Sequence, residues 1–338
     1  MLDFLFDIFS KASGSGWFIL ICILCIVGGM VLLIKGADFF VGSASNLAKK
    51  IGVSTLIIGL TIVSIGTSLP EASVSISSAL KGSNGLSIGN VVGSNIFNIL
   101  VVLGCSCLFA PIIVDKGLKV RDIPILVGTG LLLLIFTLCF SKTGNYDILR
   151  FEAIILLILF VGYIVLCIFT TKKEEENPDE EKPKMKVWLC IVIIILSGLA
   201  IACGGEFVTY GAKELAIKMG ADEILVGLTI VAIGTSLPEL VTSVMAAKKK
   251  ENDIAVGNAI GSSIFNILFI LGAAATISPY YGINPDVIVD LVVMLVIFVV
   301  LALLVIFCKK GIGRKVGIMF LVAYLAYFVY IILRNYCF

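Results

Sequence analysis

Residues Gly59–Glu71 read GLTIVSIGTSLPE, and residues Gly227–Glu239 read GLTIVAIGTSLPE. The two copies differ only at Ser64 and Ala232, and they lie 168 residues apart in a chain of 338 residues. Each copy places a glutamate beside a proline, deep within a long apolar run. Because a carboxylate in the membrane interior is costly to keep, such a residue is by default a functional-site hypothesis.

A second repeated block follows each copy at the same offset. Residues 89–104 read GNVVGSNIFNILVVLG, and residues 257–272 read GNAIGSSIFNILFILG. Glycines four residues apart form small-residue faces that let two helices approach closely in a membrane. These glycines are Gly89 and Gly93 in the first block and Gly257 and Gly261 in the second. The spacing predicts tight helix packing beside both glutamates.

The composition is that of a membrane protein. Hydrophobic residues make up 59% of the chain and charged residues 14%, whereas soluble domains are about half apolar and about a quarter charged. Apolar runs of roughly 17–25 residues, long enough to span a bilayer as helices, recur along the whole chain. The chain has ten cysteines and no histidine, so we expect buried thiols rather than zinc ligands or disulfides. The predicted fold class is an all-α polytopic membrane protein.

Ten hydrophobic segments are predicted to cross the bilayer. They are residues 17–34, 53–81, 86–109, 123–140, 149–170, 187–202, 222–247, 253–277, 286–308 and 316–333. Residues 171–186 form the one strongly polar stretch, which reads as a solvated linker because it is charged and contains two prolines. The chain therefore divides into a first half, 1–170, and a second half, 187–338, with five spans each.

Five spans per half imply that the halves have inverted topology, as in many secondary transporters. The basic residues agree with this reading, because most of the 25 lysines and arginines fall on alternate connections and in the linker. Under the positive-inside rule those connections are cytoplasmic, which predicts that both termini lie outside. The segment 36–52, with Lys49 and Lys50, is expected to lie along the interface.

The repeated motif concentrates polar side chains on one helical face. Thr67 and Ser68 lie four and three residues before Glu71, and Ser64 lies seven before it. The second copy repeats this face at Thr235, Ser236 and Glu239. The prolines Pro70 and Pro238 remove a backbone donor, so a break in the helix and free carbonyls nearby, including those of Ser64 and Ala232, are expected.

The following helix adds a hydroxyl and a carboxamide in each copy. These are Ser94 and Asn98 in the first half, and Ser262 and Asn266 in the second. The pooled ligands are all oxygen, which suits hard cations such as Ca²⁺, Na⁺ or K⁺ better than Mg²⁺ or Mn²⁺. Two carboxylates neutralise one divalent ion, and an empty site of charge −2 is costly in a low-dielectric barrier. The site is therefore expected to change sides only when it is occupied.

The two blocks, GTSLPE followed by GNVVGSNIFNIL and repeated in the second half, resemble the alpha-repeats of the cation/calcium antiporter superfamily, the sodium/calcium exchangers. The resemblance covers nearly the whole chain, and the short linker is similar to that of the prokaryotic exchangers. It implies an integral protein of a prokaryotic plasma membrane that exchanges several Na⁺ for one Ca²⁺. It also implies electrogenic transport by alternating access, with the first and sixth helices sliding past a rigid core.

The resemblance also implies a role for each polar residue. Glu71 and Glu239 would bind Ca²⁺ directly, helped by backbone oxygens of Thr67 and Thr235. Na⁺ would use overlapping sites, and Asn98 and Asn266 would line the centre. One Na⁺ site would comprise Thr67, Ser68, Glu71, Ser94 and the carbonyl of Ser64, and its mirror would comprise Thr235, Ser236, Glu239, Ser262 and the carbonyl of Ala232.

One departure from the family leaves the coupling ion open. Many relatives carry an aspartate at a position matching Asn98 or Asn266, whereas this chain has asparagine at both. K⁺ co-transport and proton coupling through that position are therefore less favoured. An exchanger of H⁺ for Ca²⁺, or of another divalent cation, is the alternative on the same scaffold.

Other classes fit the sequence less well. A channel is disfavoured by inverted repeats around a site in mid-membrane. An intramembrane enzyme of the Ser-His or HExxH type is excluded because the chain has no histidine. The expected partners are Na⁺ and Ca²⁺ as substrates and the lipid bilayer, with no cofactor, nucleic acid or soluble partner. Asp38 and Glu206 match in the two repeats and are expected to be solvated or structurally paired.

Overall fold

The computed structural model describes residues 17–112, 117–140, 146–170, 185–220, 232–307 and 311–337, together with Phe6, Phe9 and Ile230. These residues are almost entirely helical, in agreement with the predicted class. The helices are α1 (Phe18–Ile51), α2 (Thr55–Thr67), α3 (Leu69–Leu80), α4 (Asn84–Phe109), α5 (Leu118–Cys139), α6 (Arg150–Phe169), α7 (Val187–Lys218), α8 (Ala232–Thr235), α9 (Leu237–Lys248), α10 (Asn252–Ile277), α11 (Pro285–Phe307) and α12 (Arg314–Cys337).

The helices have the length and apolarity of membrane spans. Within the described ranges, eight helices pass this test, and the bent pair α2–α3 raises the number to nine. The predicted span 222–247 begins in residues outside the described part, and α8 and α9 are its described portion. Large apolar side chains such as Leu24, Ile158 and Leu196 are more than half exposed, as expected of a surface that faces lipid. The protein is an integral, multi-pass membrane protein.

The first helix of each half is much longer than the sequence predicted. Helix α1 has 34 residues and α7 has 32, so the predicted ends at residues 34 and 202 were wrong. The segment 36–52 does not lie along the interface, because α1 continues to Ile51 with Lys49 and Lys50 in its last turn. The second half of α1 is rich in small residues, which reduce its hydropathy but pack closely against neighbouring helices.

Glycines bring α1 and α7 into backbone contact. A Cβ atom on Gly29 would lie 2.7 Å from the carbonyl oxygen of Gly204, and one on Gly211 would lie 2.6 Å from that of Cys22. Gly36 contacts Ser197, so the contacting residues of α7 come earlier in the sequence as those of α1 come later. The two helices therefore run antiparallel, although they occupy equivalent positions in the two sequence repeats.

The predicted small-residue face of the second repeated block is confirmed. A Cβ atom on Gly257 would lie 2.7 Å from the Leu56 carbonyl oxygen, and one on Gly261 would lie 2.6 Å from that of Leu60. Helix α10 therefore presses against the backbone of α2, just before the motif. The matching face at Gly89 and Gly93 meets no atom within 4 Å among the described residues.

The break expected in the segment 53–81 is present. Helices α2 and α3 meet at Ser68 with a bend of 50°, and Ser236 separates α8 from α9 in the same way. Pro70 and Pro238 stand in the first turn of the helix after each break, where the missing N–H of proline is tolerated. The proline therefore starts a new helix, and the serine before it forms the joint.

Wide π-helical turns accompany the repeated blocks, and the sequence analysis did not anticipate them. In the blocks, these turns cover Asn98–Val102 in α4 and Asn266–Leu271 in α10. Another lies in α2 at Gly59–Val63, directly before Ser64. Such turns occur frequently at functional sites in helices. The asparagine of each copy thus begins a local widening of its helix.

Two short strands were also missed. Tyr146–Ile148 (β1) pairs antiparallel with Tyr280–Ile283 (β2), so Ile148 lies opposite Tyr280. A bridge between Ile112 and Ile312 joins two other connections. Ile112 and Tyr280 are 168 residues apart, so they hold equivalent positions after the third span of each half. Each of them pairs with a segment of the other half. Strands of three and four residues carry too little pattern to be recognised in sequence.

The buried apolar side chains form two clusters. The larger one joins α4 and α10 with α5, α6, α11 and α12. The smaller one joins buried residues from α1, chiefly its second half, and from α7 with residues of α2, of the end of α9 and of the start of α10. The long antiparallel pair is therefore packed against the rest of the protein through its own apolar contact.

We predict that Gly29→Ala destabilises the protein, whereas Gly28→Ala does not. Overpacking of this kind typically costs about 1–3 kcal/mol, because the new methyl group would force α1 away from the backbone of Gly204. Gly28 is the matched control, since a Cβ atom there meets nothing within 4 Å. The thermal midpoints of the purified variants in detergent would check this, and equal midpoints would contradict the contact.

Candidate cation-binding site

Two fully buried glutamates lie directly after the helix breaks. Glu71 is in the first turn of α3, Glu239 is in the first turn of α9, and neither has any exposed surface. The N-terminal end of a helix carries partial positive charge, which favours a carboxylate there. The breaks therefore place both side chains where the backbone helps to stabilise their charge.

The serine at each break donates a hydrogen bond to the glutamate of the other repeat. Ser236 Oγ donates to Glu71 Oε1 at 2.9 Å, and Ser68 Oγ donates to Glu239 Oε1 at 2.8 Å. Each serine occupies the N-cap position of the helix that follows it, but neither caps that helix. The hydroxyls that would ordinarily cap α3 and α9 instead connect the two halves of the protein. The glutamates are therefore neighbours in a single site.

The serines of the following helices complete the connection between the repeats. Ser236 Oγ lies 3.1 Å from Ser94 Oγ, and Ser262 Oγ donates to the carbonyl of Ser64 at 3.4 Å. That carbonyl also accepts from the backbone N–H of Ser68 and from the hydroxyl of Thr67. The Ser64 carbonyl is therefore already bonded, whereas the sequence analysis had expected it to be free. The carbonyl without its usual helical partner is that of Gly66, because Pro70 has no N–H.

The remaining predicted residues take their positions around the same breaks. Thr67 is 1% exposed and Thr235 is 8% exposed, and each ends the helix before its break. Ala232 begins α8, and its side chain is outside the described residues. The helix breaks therefore bring the backbone around Thr67 and Thr235 close to the two glutamates.

Several buried polar atoms in this region have no hydrogen-bond partner among the described residues. They are the second carboxylate oxygens, Oε2, of Glu71 and Glu239, and the carboxamide oxygen and nitrogen of both Asn98 and Asn266. All four residues have no exposed surface. Buried polar atoms are nearly always bonded, and an unsatisfied one costs about 1–3 kcal/mol. Two carboxylate and two carboxamide oxygens that await a partner fit a hard cation.

The hydrogen bonds group the site differently from the sequence. The spacing along the helix put Ser68 on the face of Glu71, whereas the hydroxyl of Ser68 meets Glu239. Likewise, Ser236 meets Glu71 and Ser94 rather than Glu239. Each carboxylate is thus served by a hydroxyl from the opposite repeat, so the site needs both halves.

Sequence reasoning missed the asparagines that open the second block. Asn90 donates to Ser75 Oγ at 2.9 Å and to the carbonyl of Glu71 at 3.4 Å. Asn258 makes the matching bonds to Ser243 Oγ and to the carbonyl of Glu239, at 2.9 and 3.3 Å. The signal was present, because both residues belong to the repeated stretch that begins Gly-Asn.

Other acidic residues have structural partners. Asp38 pairs with Lys249 at 2.8 Å, in agreement with the structural pairing expected of it. Glu152 is fully buried and accepts the backbone N–H of Leu149 at 2.7 Å, closing the first turn of α6. Asp122 forms a two-pronged pair with Arg121, with contacts of 2.8 and 2.9 Å. These groups hold helix ends and lie outside the glutamate site.

The sequence matches a known family over both halves. The family model described as sodium/calcium exchanger protein matches residues 21–169 and 189–333. The putative antiporter CaxA of Alkalimonas amylolytica is 38% identical over 267 residues, covering 77% of this chain and 82% of the relative. The sodium/calcium exchanger MaX1 of Methanosarcina acetivorans is 32% identical over 337 residues, covering 89% and 95%.

A solved structure has the same fold. The sodium-calcium exchanger NCX_Mj, soaked with 10 mM Na⁺ and zero Ca²⁺, superposes with a TM-score of 0.79 at 33% sequence identity. The match covers 92% of this chain and 99% of that one.

We predict that Ca²⁺ raises the thermal midpoint of chelator-treated protein. A ligand at about 100 times its Kd stabilises the folded state by about 2.7 kcal/mol, and the unpartnered oxygens would supply the contacts. The double variant Glu71→Gln/Glu239→Gln should lose the shift. Asp286→Asn, which removes an exposed carboxylate, should keep it. A shift of equal size in the double variant would show that Ca²⁺ binds elsewhere.

Proposed function

The chain belongs to the sodium/calcium exchanger family, and on that premise we propose that it is an antiporter that exchanges Na⁺ for Ca²⁺ by alternating access. The observation that carries the proposal is the pair of fully buried glutamates, each bonded by the serine of the opposite repeat. A binding site made jointly by two halves can change its exposure when the halves move against each other. Among the described residues, the second carboxylate oxygens of both glutamates and the carboxamide oxygens of Asn98 and Asn266 have no hydrogen-bond partner, which leaves them available to a cation.

The ligands are assigned by their chemistry. Glu71 and Glu239 bind Ca²⁺ and neutralise its charge, with backbone oxygens of Thr67 and Thr235 beside them. Asn98 and Asn266 supply neutral oxygens at the centre. Na⁺ uses the same carboxylates together with hydroxyl and carbonyl oxygens at the flanks. The flanking residues are Ser94 and Ser236 beside Glu71, Ser68 beside Glu239, and Ser262 with the carbonyls of Ser64 and Ala232.

The architecture we propose has ten spans in two inverted halves, 1–170 and 187–338, joined by the linker 171–186. The antiparallel packing of α1 against α7 supports this arrangement, because equivalent helices of parallel repeats would run in the same direction. The charge pattern of the connections supports an orientation with both termini outside. The similarity to prokaryotic exchangers such as MaX1 of Methanosarcina acetivorans supports a location in a prokaryotic plasma membrane.

An asymmetry between the repeats supports alternating access. In the second half of α1, five apolar side chains are buried in one cluster with Ala246 and Ala247 of α9, and the Asp38–Lys249 pair joins α1 to the end of α9. The equivalent part of α7 is only half-buried. The residues compared are Phe40, Val41, Ala44, Leu47 and Ala48 in α1, and Val208, Thr209, Ala212, Leu215 and Ala216 in α7. Two halves with one sequence pattern but unequal packing are what a transporter closed on one side requires.

We predict that a Na⁺ gradient drives Ca²⁺ uptake into proteoliposomes loaded with Na⁺. Glu71→Gln and Glu239→Gln should each abolish this flux while the protein remains folded, because either change removes half of the charge that neutralises Ca²⁺. The measurement is Ca²⁺ accumulation over time, with Asp286→Asn as the control. Uptake that ignores Na⁺ but follows a pH gradient would identify an H⁺/Ca²⁺ exchanger instead.

We also predict that the exchange carries net charge. Three Na⁺ for one Ca²⁺ moves one positive charge with the sodium ions, so Na⁺ leaving the vesicle as Ca²⁺ enters makes the lumen negative. A K⁺ diffusion potential that is positive inside should therefore speed Ca²⁺ uptake, and one that is negative inside should slow it. Uptake that is equal under both potentials would indicate two Na⁺ for each Ca²⁺.

A further inference from the structure

We infer that Asn258 is a positioning residue of the cation site, because its one carboxamide fixes a main-chain segment of each helix break at the same time. The inference deepens the proposed exchange function and rests on it. Asn258 lies on α10, one turn before Ser262, and is fully buried. It touches neither glutamate carboxylate, so its effect on the ion would pass through other residues.

The contacts of Asn258 join the two halves. Its Nδ2 atom donates to the carbonyl of Glu239 at 3.3 Å and to Ser243 Oγ at 2.9 Å. Its Oδ1 atom accepts the hydroxyl of Thr67 at 3.0 Å. Glu239 and Ser243 belong to α9 of the second half, whereas Thr67 is the last residue of α2 in the first. A carboxamide can donate twice and accept in one place, and here all three bonds are made.

The equivalent residue of the first half provides an internal comparison. Asn90 makes the same two donor bonds, to the carbonyl of Glu71 and to Ser75 Oγ. It is half-buried rather than fully buried. The shared bonds attach each glutamate-bearing helix to the helix that follows it. The bond to Thr67 is the feature by which Asn258 also reaches across the repeats.

The physical consequence follows from what these segments carry. Glu239 supplies a carboxylate, and the peptide group of Thr67 supplies a proposed backbone ligand for Ca²⁺. If the hydrogen bonds of Asn258 are lost, both segments keep their ligands, but the distance between the segments is no longer fixed. Residues that hold metal ligands from behind typically change metal affinity by about 10–100-fold when they are removed. We therefore expect Asn258 to set the affinity for Ca²⁺ rather than the capacity to fold.

The test compares Asn258→Ala with Asn90→Ala in reconstituted, full-length protein. We expect Asn258→Ala to raise the half-saturating Ca²⁺ concentration for Na⁺-driven exchange by at least about tenfold. Asn90→Ala should raise it by less, because, of these two asparagines, only Asn258 has a hydrogen bond across the repeats among the described residues. The Ca²⁺ concentration that produces half of the thermal shift gives the same comparison without transport.

Thr67→Val leaves the carboxamide of Asn258 in place and removes the hydroxyl that it accepts, together with the 3.3 Å contact of that hydroxyl with the Ser64 carbonyl. It therefore tests the cross-repeat bond even if Asn258→Ala folds poorly, and it should raise the half-saturating Ca²⁺ concentration in the same direction. Combined with Asn258→Ala, it should add little, because Asn258→Ala has already broken the bond to Thr67.

Three results would overturn the inference. They are a reduced thermal midpoint in Asn258→Ala with unchanged Ca²⁺ affinity, equal effects of Asn258→Ala and Asn90→Ala, and full additivity with Thr67→Val. A wild-type protein that shows neither Ca²⁺ flux nor a Ca²⁺-dependent thermal shift would instead refute the proposed function, and the inference would fall with it. The wild-type measurement therefore separates the two failures.

Discussion

The structure depends on keeping two carboxylates out of water without a basic side chain beside them. Among the described residues, the side chains that bond Glu71 and Glu239 are serines. Hydroxyl donors and the positive ends of α3 and α9 stabilise these charges only in part. Two negative groups in one low-dielectric site repel each other, and a cation between them relieves both the repulsion and the desolvation. The binding of a cation and the stability of the interior are therefore linked.

The helix breaks turn this electrostatic demand into geometry. The serine two residues before each proline stands at the N-cap position, but its hydroxyl bonds the glutamate of the other half instead of capping its own helix. Because both repeats do this, neither half can form the site alone. The glycine contact between α1 and α7 joins the long helices to each other, and their apolar cluster also takes in the start of α10. The larger cluster joins α4 and the rest of α10 with α5, α6, α11 and α12. In the proposed exchange, a site shared between halves changes which side of the membrane it faces when the halves move against each other.

Much of this was readable in the residues, and the failures have physical reasons. The carboxylate–proline pairs predicted both the site and the break, because charge and a missing N–H act locally. The length of α1 was underestimated because Gly36 and Ala44 reduce hydropathy although they lie within a helix. The short strands β1 and β2 were missed because so few residues carry little pattern. The π-helical turns at Asn98 and Asn266 were missed because their spacing is still close to that of an ordinary helix.

The sequence by itself determined which side chains are available and where the helices break, since both depend on residues within one turn of each other. It determined that the site is built from oxygen, with glutamates, hydroxyls and carboxamides in duplicate. Only the tertiary structure decided that Ser68 meets Glu239, that Ser236 meets Glu71, and that Asn258 reaches Thr67 as well as its own half. These partners are 165 to 191 residues apart, and how helices cross, rather than any local spacing, decides which of them come together.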